Sequence, residues 1–125
     1  MGQKLHLPDL PEIATSAGRW QPLNSPLGVS NFGVNAVVIE PGEDIGIEHD
    51  EVECRHQEVY VVVAGRAGFR VGSEEFEAGL CDVVSVPDPA ETRSYWALEP
   101  GTRIVCFGAG PGAEYPYGEW ISKEG

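Results

Sequence analysis

Short apolar runs, each closed by glycine or proline, fill the chain from residue 32 onward. The first reads GVNAVVI over residues 33–39 and stops at Pro41-Gly42, so we predict a strand over residues 32–40. Similar runs predict further strands over residues 58–64, 67–71, 74–77, 80–86, 92–98 and 102–107. Short strands at this spacing, with turn residues between them, are typical of an all-β sandwich or barrel.

The first thirty residues have a different character, because prolines interrupt their scattered apolar positions. These prolines are Pro8, Pro11, Pro22 and Pro26. We therefore predict an irregular arm over residues 1–31 that packs on the barrel or on a partner subunit. Residues 32–125 are predicted to form a single barrel domain with an aromatic C-terminal tail.

Composition narrows the classes of partner. The chain has 125 residues, 8 of them basic and 20 acidic, and its net charge of -12 disfavours nucleic acid and anionic membranes as partners. Its 3 cysteines show no Cys-x-x-Cys spacing, which argues against a disulfide framework and for a reducing compartment. No apolar run approaches the roughly 20 residues of a membrane span. We expect a cytoplasmic protein.

Two motifs, in order and at matching spacing, resemble those of the cupin superfamily. The first is carried by HQEVYVVVAGRAGFRV and the second by AGLCDVVSVPDPAETRSYWA, so the resemblance covers roughly residues 33–108. Its key positions are Pro41-Gly42, Glu58, Gly65, Gly79, Asp82 and Val86-Pro87. The resemblance implies a double-stranded β-helix, a jelly-roll barrel whose two sheets enclose a central cavity.

The resemblance also implies a divalent metal, held by two histidines and a glutamate of the first motif and a histidine of the second. Glu58 matches the glutamate, but the histidine pair falls near Glu51 and Glu53, or near Val52 and Cys54. The second-motif histidine falls at Thr92. The full three-histidine site cannot be built from these motifs, and we expect no conventional metal.

An irregular metal site stays open as an alternative. His49 and Glu51 would form a His-x-Glu remnant that joins His56 and Glu58 around zinc, iron, nickel or manganese. Strand parity also permits a row of Cys54, His56 and Glu58. The competing interpretation is that residues 48–57 are a solvated loop.

Strand alternation selects the side chains that would line the cavity. Glu58 and Tyr60 share a face, and the resemblance turns that face inward. In the second motif, parity allows either Thr92, Ser94 and Trp96 or Arg93, Tyr95 and Ala97 to face inward, and the motif count favours the first set. Arg93 can instead reach Glu58 and replace the charge of the metal with a guanidinium.

Three functions remain open. The favoured one is a small-molecule-binding or accessory domain without the usual metal ligands, with a cavity lined by Glu58, Tyr60, Thr92, Arg93 and Trp96. The second is a small metal-dependent oxygenase, isomerase or lyase that uses the irregular site. The third is a structural barrel that forms a homodimer. The sequence does not decide whether the protein is an enzyme.

Overall fold

The computed structural model describes residues 2–43 and 55–110. Within this part of the chain, nine strands dominate, and the helical content is a 3-10 turn at Leu7–Asp9 and one α-helical turn at Asn24–Leu27. The strands are β1 Ile13–Thr15, β2 Gly18–Pro22, β3 Gly33–Ile39, β4 Gln57–Ala64, β5 Arg66–Val71, β6 Glu74–Gly79, β7 Val83–Val86, β8 Arg93–Ala97 and β9 Thr102–Ala109.

The strands form two antiparallel sheets. The larger sheet has six strands in the order β1-β2-β3-β9-β4-β7, and the smaller has three in the order β6-β5-β8. Strands predicted at residues 32–40, 58–64, 67–71 and 102–107 agree with β3, β4, β5 and β9 to within about two residues at each end. No helix in the described residues is long and apolar enough to cross a membrane.

The core lies between the two sheets because alternate side chains of each strand point toward the other sheet. In β4, Tyr60 and Val62 are buried on the inner face, whereas Val59 and Val63 point outward and stay exposed. Tyr60 contacts aromatic rings of the smaller sheet, with a ring-centroid distance of 5.7 Å to Phe69 and 5.6 Å to Tyr95. These contacts join the sheets.

The N-terminal segment is more regular than the arm predicted for residues 1–31. Strands β1 and β2 form a hairpin that extends the six-stranded sheet, and β2 pairs with β3 from Arg19–Val38 to Pro22–Asn35. The prolines do not prevent this pairing, because Pro22 is the last residue of β2. Apolar side chains of this segment cover the outer face of β3. They are Leu7, Leu10, Leu23, Leu27 and Val29.

The strand predicted over residues 80–86 begins later than expected. Leu80, Cys81 and Asp82 form a turn, in which Cys81 has φ 74° and the Asp82 carboxylate accepts the Gly79 N–H at 2.8 Å. This side chain to backbone bond offers the chain an alternative to the strand ladder. Consequently β7 is confined to Val83–Val86.

Candidate functional site

Strand register places three polar side chains of the six-stranded sheet on its inner face. Glu58 of β4 pairs with Gly108 of β9, and Tyr60 pairs with Cys106 of the same strand. Directly paired residues share a face, so all three side chains project into the barrel. The glycine leaves room for the carboxylate, since a Cβ at Gly108 would lie 3.3 Å from the Glu58 Cγ atom.

The smaller sheet contributes a buried cation to the same place. Arg93, the first residue of β8, is 1% exposed, and its Nη1 donates to Glu58 Oε1 at 2.9 Å. Its remaining nitrogens point to the β7–β8 loop: Nε and Nη2 donate to the Glu91 carbonyl at 3.1 and 2.8 Å. Nη2 also lies 3.1 Å from the Asp88 carbonyl and 3.3 Å from that of Pro89. The loop therefore fixes the guanidinium from one side and Glu58 from the other.

Two further donors hold the Glu58 carboxylate. The Tyr60 hydroxyl donates to Oε1 at 2.7 Å, and the Cys106 thiol donates to Oε2 at 3.4 Å. Cys106 is a thiol that takes part in no disulfide. We call Glu58, Tyr60, Arg93 and Cys106 the Glu58 cluster. A carboxylate held by a guanidinium and a phenol has a fixed orientation and is strongly hydrogen-bonded.

Burial keeps the nearby phenols neutral. It raises the pKa of both Tyr60 and Tyr95 well above the usual value, and electrostatic interactions with Cys106 and Glu58 raise each pKa further. Both hydroxyls therefore stay protonated at neutral pH. Tyr60 remains a hydrogen-bond donor to Glu58 throughout the physiological range.

Solvent reaches part of the Glu58 cluster. The Glu58 side chain is 12% exposed, whereas that of Arg93 is 1% exposed. Cys106 and its partner in β3, Asn35, are half-buried although both lie on the inner face. These side chains of the inner face are therefore partly accessible to solvent, whereas Arg93 is not.

Comparison with known proteins identifies the architecture. No protein-family model matches the chain, and no curated protein sequence matches it. The chain is similar to the solved cupin domain of Cnp3 from Schizosaccharomyces pombe, with a TM-score of 0.72 and 13% identity over 87% of this chain and 74% of that one. The chain has the cupin fold.

Two other solved structures that the chain resembles are of proteins described as enzymes. The nucleoside dehydratase Pac13 matches with a TM-score of 0.65 and 22% identity over 87% of this chain and 82% of that one. A protein of Acidithiobacillus ferrooxidans assigned as a sugar phosphate isomerase matches with a TM-score of 0.64 and 20% identity over 74% of this chain. The chain spans 60% of the length of that protein. At 20% and 22% identity, these similarities concern the fold alone.

The cupin barrel brings together only some of the residues predicted to line its cavity. Glu58, Tyr60 and Arg93 meet as described, but Thr92 is exposed immediately before β8. Trp96 lies on the outer face of the smaller sheet, where its indole covers Gly68 so closely that a Cβ there would collide with it. The placement of Thr92 and Trp96 in the cavity was therefore wrong.

The reason is the register of β8 on β5. Tyr95 pairs with Phe69 and Arg93 pairs with Val71, which turns Arg93, Tyr95 and Ala97 inward. This is the second of the two parity choices. Cys106 and Asn35 were missed because their inward direction depends on how β3 and β9 pair, which the sequence pattern does not specify.

The residues of the irregular metal site are only partly described. His56 is half-buried immediately before β4, while His49, Glu51 and Cys54 lie outside the described residues. Residues 2–43 and 55–110 contain no group of three or more His, Cys, Asp or Glu side chains that could hold a metal ion. A guanidinium at 2.9 Å already contacts Glu58. The donor set around Glu58 in the described part of the chain does not fit the metal that the resemblance implies.

Proposed function

We propose that this cupin-fold protein binds a small organic molecule inside the barrel and that Glu58 recognises it. The observation that carries the proposal is a carboxylate that Arg93 and Tyr60 hold in one orientation while solvent still reaches it. A binding group that is fixed before the ligand arrives loses little conformational freedom on binding. Ligand pockets typically combine apolar walls with a few polar groups of this kind.

The surroundings of Glu58 indicate the chemistry of the ligand. Tyr60, Phe69 and Tyr95 pack together in the core beside the carboxylate, so the surroundings of Glu58 are largely apolar and aromatic. The Glu58–Arg93 pair is electrically neutral, and the net charge of -12 on the whole chain repels anions at a distance. The best match is an uncharged molecule with an apolar or aromatic part and at least one O–H or N–H group that donates to Glu58.

A ligand screen with two matched variants tests this proposal. Glu58→Gln removes the charge of the binding carboxylate, and Glu75→Gln makes the same change at an exposed glutamate that pairs with Arg70 at 2.9 Å outside the barrel. Polyols, sugars and aromatic alcohols are scored by the shift in Tm they produce. We expect compounds that stabilise the wild type and Glu75→Gln but not Glu58→Gln. A panel without any Glu58-dependent shift contradicts the proposal.

Elemental analysis separates this function from a metal-dependent one. We expect purified protein to contain no stoichiometric zinc, iron, nickel or manganese. About one such ion per chain, lost in Glu58→Gln, would instead favour an oxygenase, isomerase or lyase that uses His49, Glu51, His56 and Glu58. His49→Ala then distinguishes that site from one built on Glu58 alone.

A further inference from the structure

We propose that the guanidinium of Arg93 takes the place of a metal ion in this barrel and keeps divalent cations away from Glu58. This role of Arg93 is separate from ligand binding and does not depend on which molecule the protein binds. The inward-facing residue of β8 is displaced by one position from the one that the family pattern predicts. The family pattern puts a metal-ligating histidine at Thr92, but the register of β8 turns Thr92 outward and Arg93 inward, against Glu58.

The cation at this place is permanent. A guanidinium does not lose its proton in a protein, whereas a lysine or histidine could become neutral and yield to a metal ion. Arg93 Nη1 lies 2.9 Å from Glu58 Oε1, so a divalent ion bound to that carboxylate would lie next to a fixed like charge. In a partly buried site the resulting repulsion is screened less than in bulk water.

Moving the guanidinium away from Glu58 would also cost free energy. The carbonyls of Asp88, Pro89 and Glu91 accept hydrogen bonds from Nε and Nη2, on the side of the guanidinium that faces away from Glu58. Rotating Arg93 out of the barrel would break these bonds together with the ion pair. It would also leave these part-buried carbonyls without the donor they have in the folded protein, which costs free energy. A metal ion would therefore have to compete with an arginine held from two sides.

Removing the guanidinium should expose a latent metal site. Glu58 Oε2 and Cys106 Sγ are 3.4 Å apart, so a carboxylate and a thiol already converge. A histidine at position 93 would add an imidazole and complete a donor set that zinc and cobalt accept. Arg93 is thus a positioning residue whose charge decides whether this barrel is metal-free.

The test is a titration of full-length, reduced protein with Co²⁺. Arg93→His should bind one Co²⁺ per chain roughly tenfold to hundredfold more tightly than the wild type. Its complex should show a thiolate-to-cobalt absorption band that disappears in the double variant Arg93→His/Cys106→Ser. The matched control is Arg70→His, which removes an arginine from an exposed pair with Glu75. This control should bind Co²⁺ no better than the wild type.

Either of two results in this titration would overturn the inference. One is a wild type that binds Co²⁺ as tightly as Arg93→His in a manner that Glu58→Gln abolishes. The other is a folded Arg93→His that gains no affinity. Because loss of the Arg93–Glu58 ion pair lowers the stability of the fold, Arg93→Met provides a second readout: Co²⁺ should raise its Tm but not that of the wild type. An Arg93→Met Tm that does not respond to Co²⁺ also contradicts the inference. Ligand binding is measured separately, so failure here leaves the proposed function standing.

Discussion

Arg93 and Glu58 show what a buried ion pair contributes in this barrel. Taking both charges out of water is costly, and their attraction offsets that cost only when the remaining hydrogen-bonding groups are satisfied. Here the loop carbonyls of residues 88–91 and the Tyr60 hydroxyl provide those partners. The pair therefore fixes the geometry of the cavity more than it stabilises the fold.

This view predicts a strongly non-additive pair of substitutions. Arg93→Ala should lower the free energy of unfolding by about 3 kcal/mol, the lower end of the range for a broken buried pair, because Glu58 keeps 12% exposure. The double variant Glu58→Gln/Arg93→Met should recover most of that loss, since no charge remains to be buried. Urea denaturation measures both. Equal losses in the single and double variants would contradict the argument.

The exposed pair of Arg70 and Glu75 is the control for this cycle. Its nitrogen–oxygen distance is also 2.9 Å, but its side chains are 47% and 54% exposed. Solvent screening limits such a pair to about 1 kcal/mol or less. Arg70→Ala should therefore change the free energy of unfolding far less than Arg93→Ala does.

The buried tyrosines predict how stability depends on alkaline pH. Burial raises the pKa of Tyr60 and Tyr95 in the folded protein, whereas both phenols ionise near pH 10 when unfolded. Above about pH 10 the unfolded chain binds fewer protons, so the free energy of unfolding falls by roughly 1.4 kcal/mol per pH unit for each tyrosine. Below that pH their contribution is fully present.

Tyr95→Phe should remove one of these two contributions. Its unfolding free energy, measured in urea between pH 8 and about 11, should fall with a shallower slope above about pH 10 than that of the wild type. Tyr95 suits the test better than Tyr60, whose hydroxyl also donates to Glu58. Identical slopes in the two proteins would show that the Tyr95 phenol ionises normally in the folded state.

Individual residues also show where sequence reasoning reaches its limit. Glu58 and Tyr60 could be placed because they lie in one strand whose alternation is clear from the sequence. Thr92 and Arg93 follow the loop Pro87-Asp88-Pro89, whose path the sequence does not specify. The alternation of inward and outward side chains in β7 therefore does not determine which side chains of β8 point inward. A displacement by one residue reverses the face of every side chain in β8.

At the scale of elements, the local sequence pattern predicted strands that end at glycine or proline turns. It missed a strand that is stabilised by pairing with another part of the chain. Strands β3, β4, β5 and β9 end at glycine or proline turns and were predicted within about two residues. Strand β2 is stabilised by pairing with β3, and the sequence of residues 18–22 does not indicate this pairing. Proline content was a poor guide there, because Pro22 terminates a strand that Trp20 anchors to the core.

The turn between β4 and β5 is where the chain passes from one sheet to the other. Gly65 has φ 74°, a left-handed conformation that glycine adopts readily, and a Cβ there would lie 2.8 Å from the Thr102 Cα. Thr102 also accepts the Arg66 N–H and donates to the Glu99 carbonyl at 2.7 Å. Backbone conformation and close packing therefore both require glycine at this turn.

Gly101 allows these two requirements to be separated. It has a similar φ of 67°, but a Cβ there would meet nothing within 4 Å. Gly101→Ala should therefore lower the free energy of unfolding by about 1 kcal/mol through strain alone. Gly65→Ala should cost roughly 1–3 kcal/mol more, because Thr102 must also move. Equal losses in thermal or urea unfolding would show that packing against Thr102 does not matter.

At the scale of the whole molecule, the two faces of the six-stranded sheet differ in what covers them. The smaller sheet covers the inner face, and the N-terminal segment covers the outer face at Val34, Ala36 and Val105. The outer face of β4, β7 and β9 retains exposed apolar side chains, namely Val59, Val63, Val83 and Phe107. A groove of about 470 Å³ passes along Phe32, Val59 and Phe107.

These exposed side chains support the prediction of a homodimer formed through the outer face. An apolar patch of this kind on an otherwise acidic surface is typical of an interaction site, and a second copy of the chain can supply the same patch in return.

Val59→Glu places a charge in the patch and should shift the sedimentation coefficient from dimer to monomer. Leu98→Glu is the matched control, because Leu98 is 41% exposed against 36% for Val59 but lies immediately after β8 of the smaller sheet. If the wild type sediments as a monomer at micromolar concentration, the dimer prediction is wrong and the patch has another occupant. If Leu98→Glu dissociates the dimer and Val59→Glu does not, the subunits meet through the smaller sheet instead.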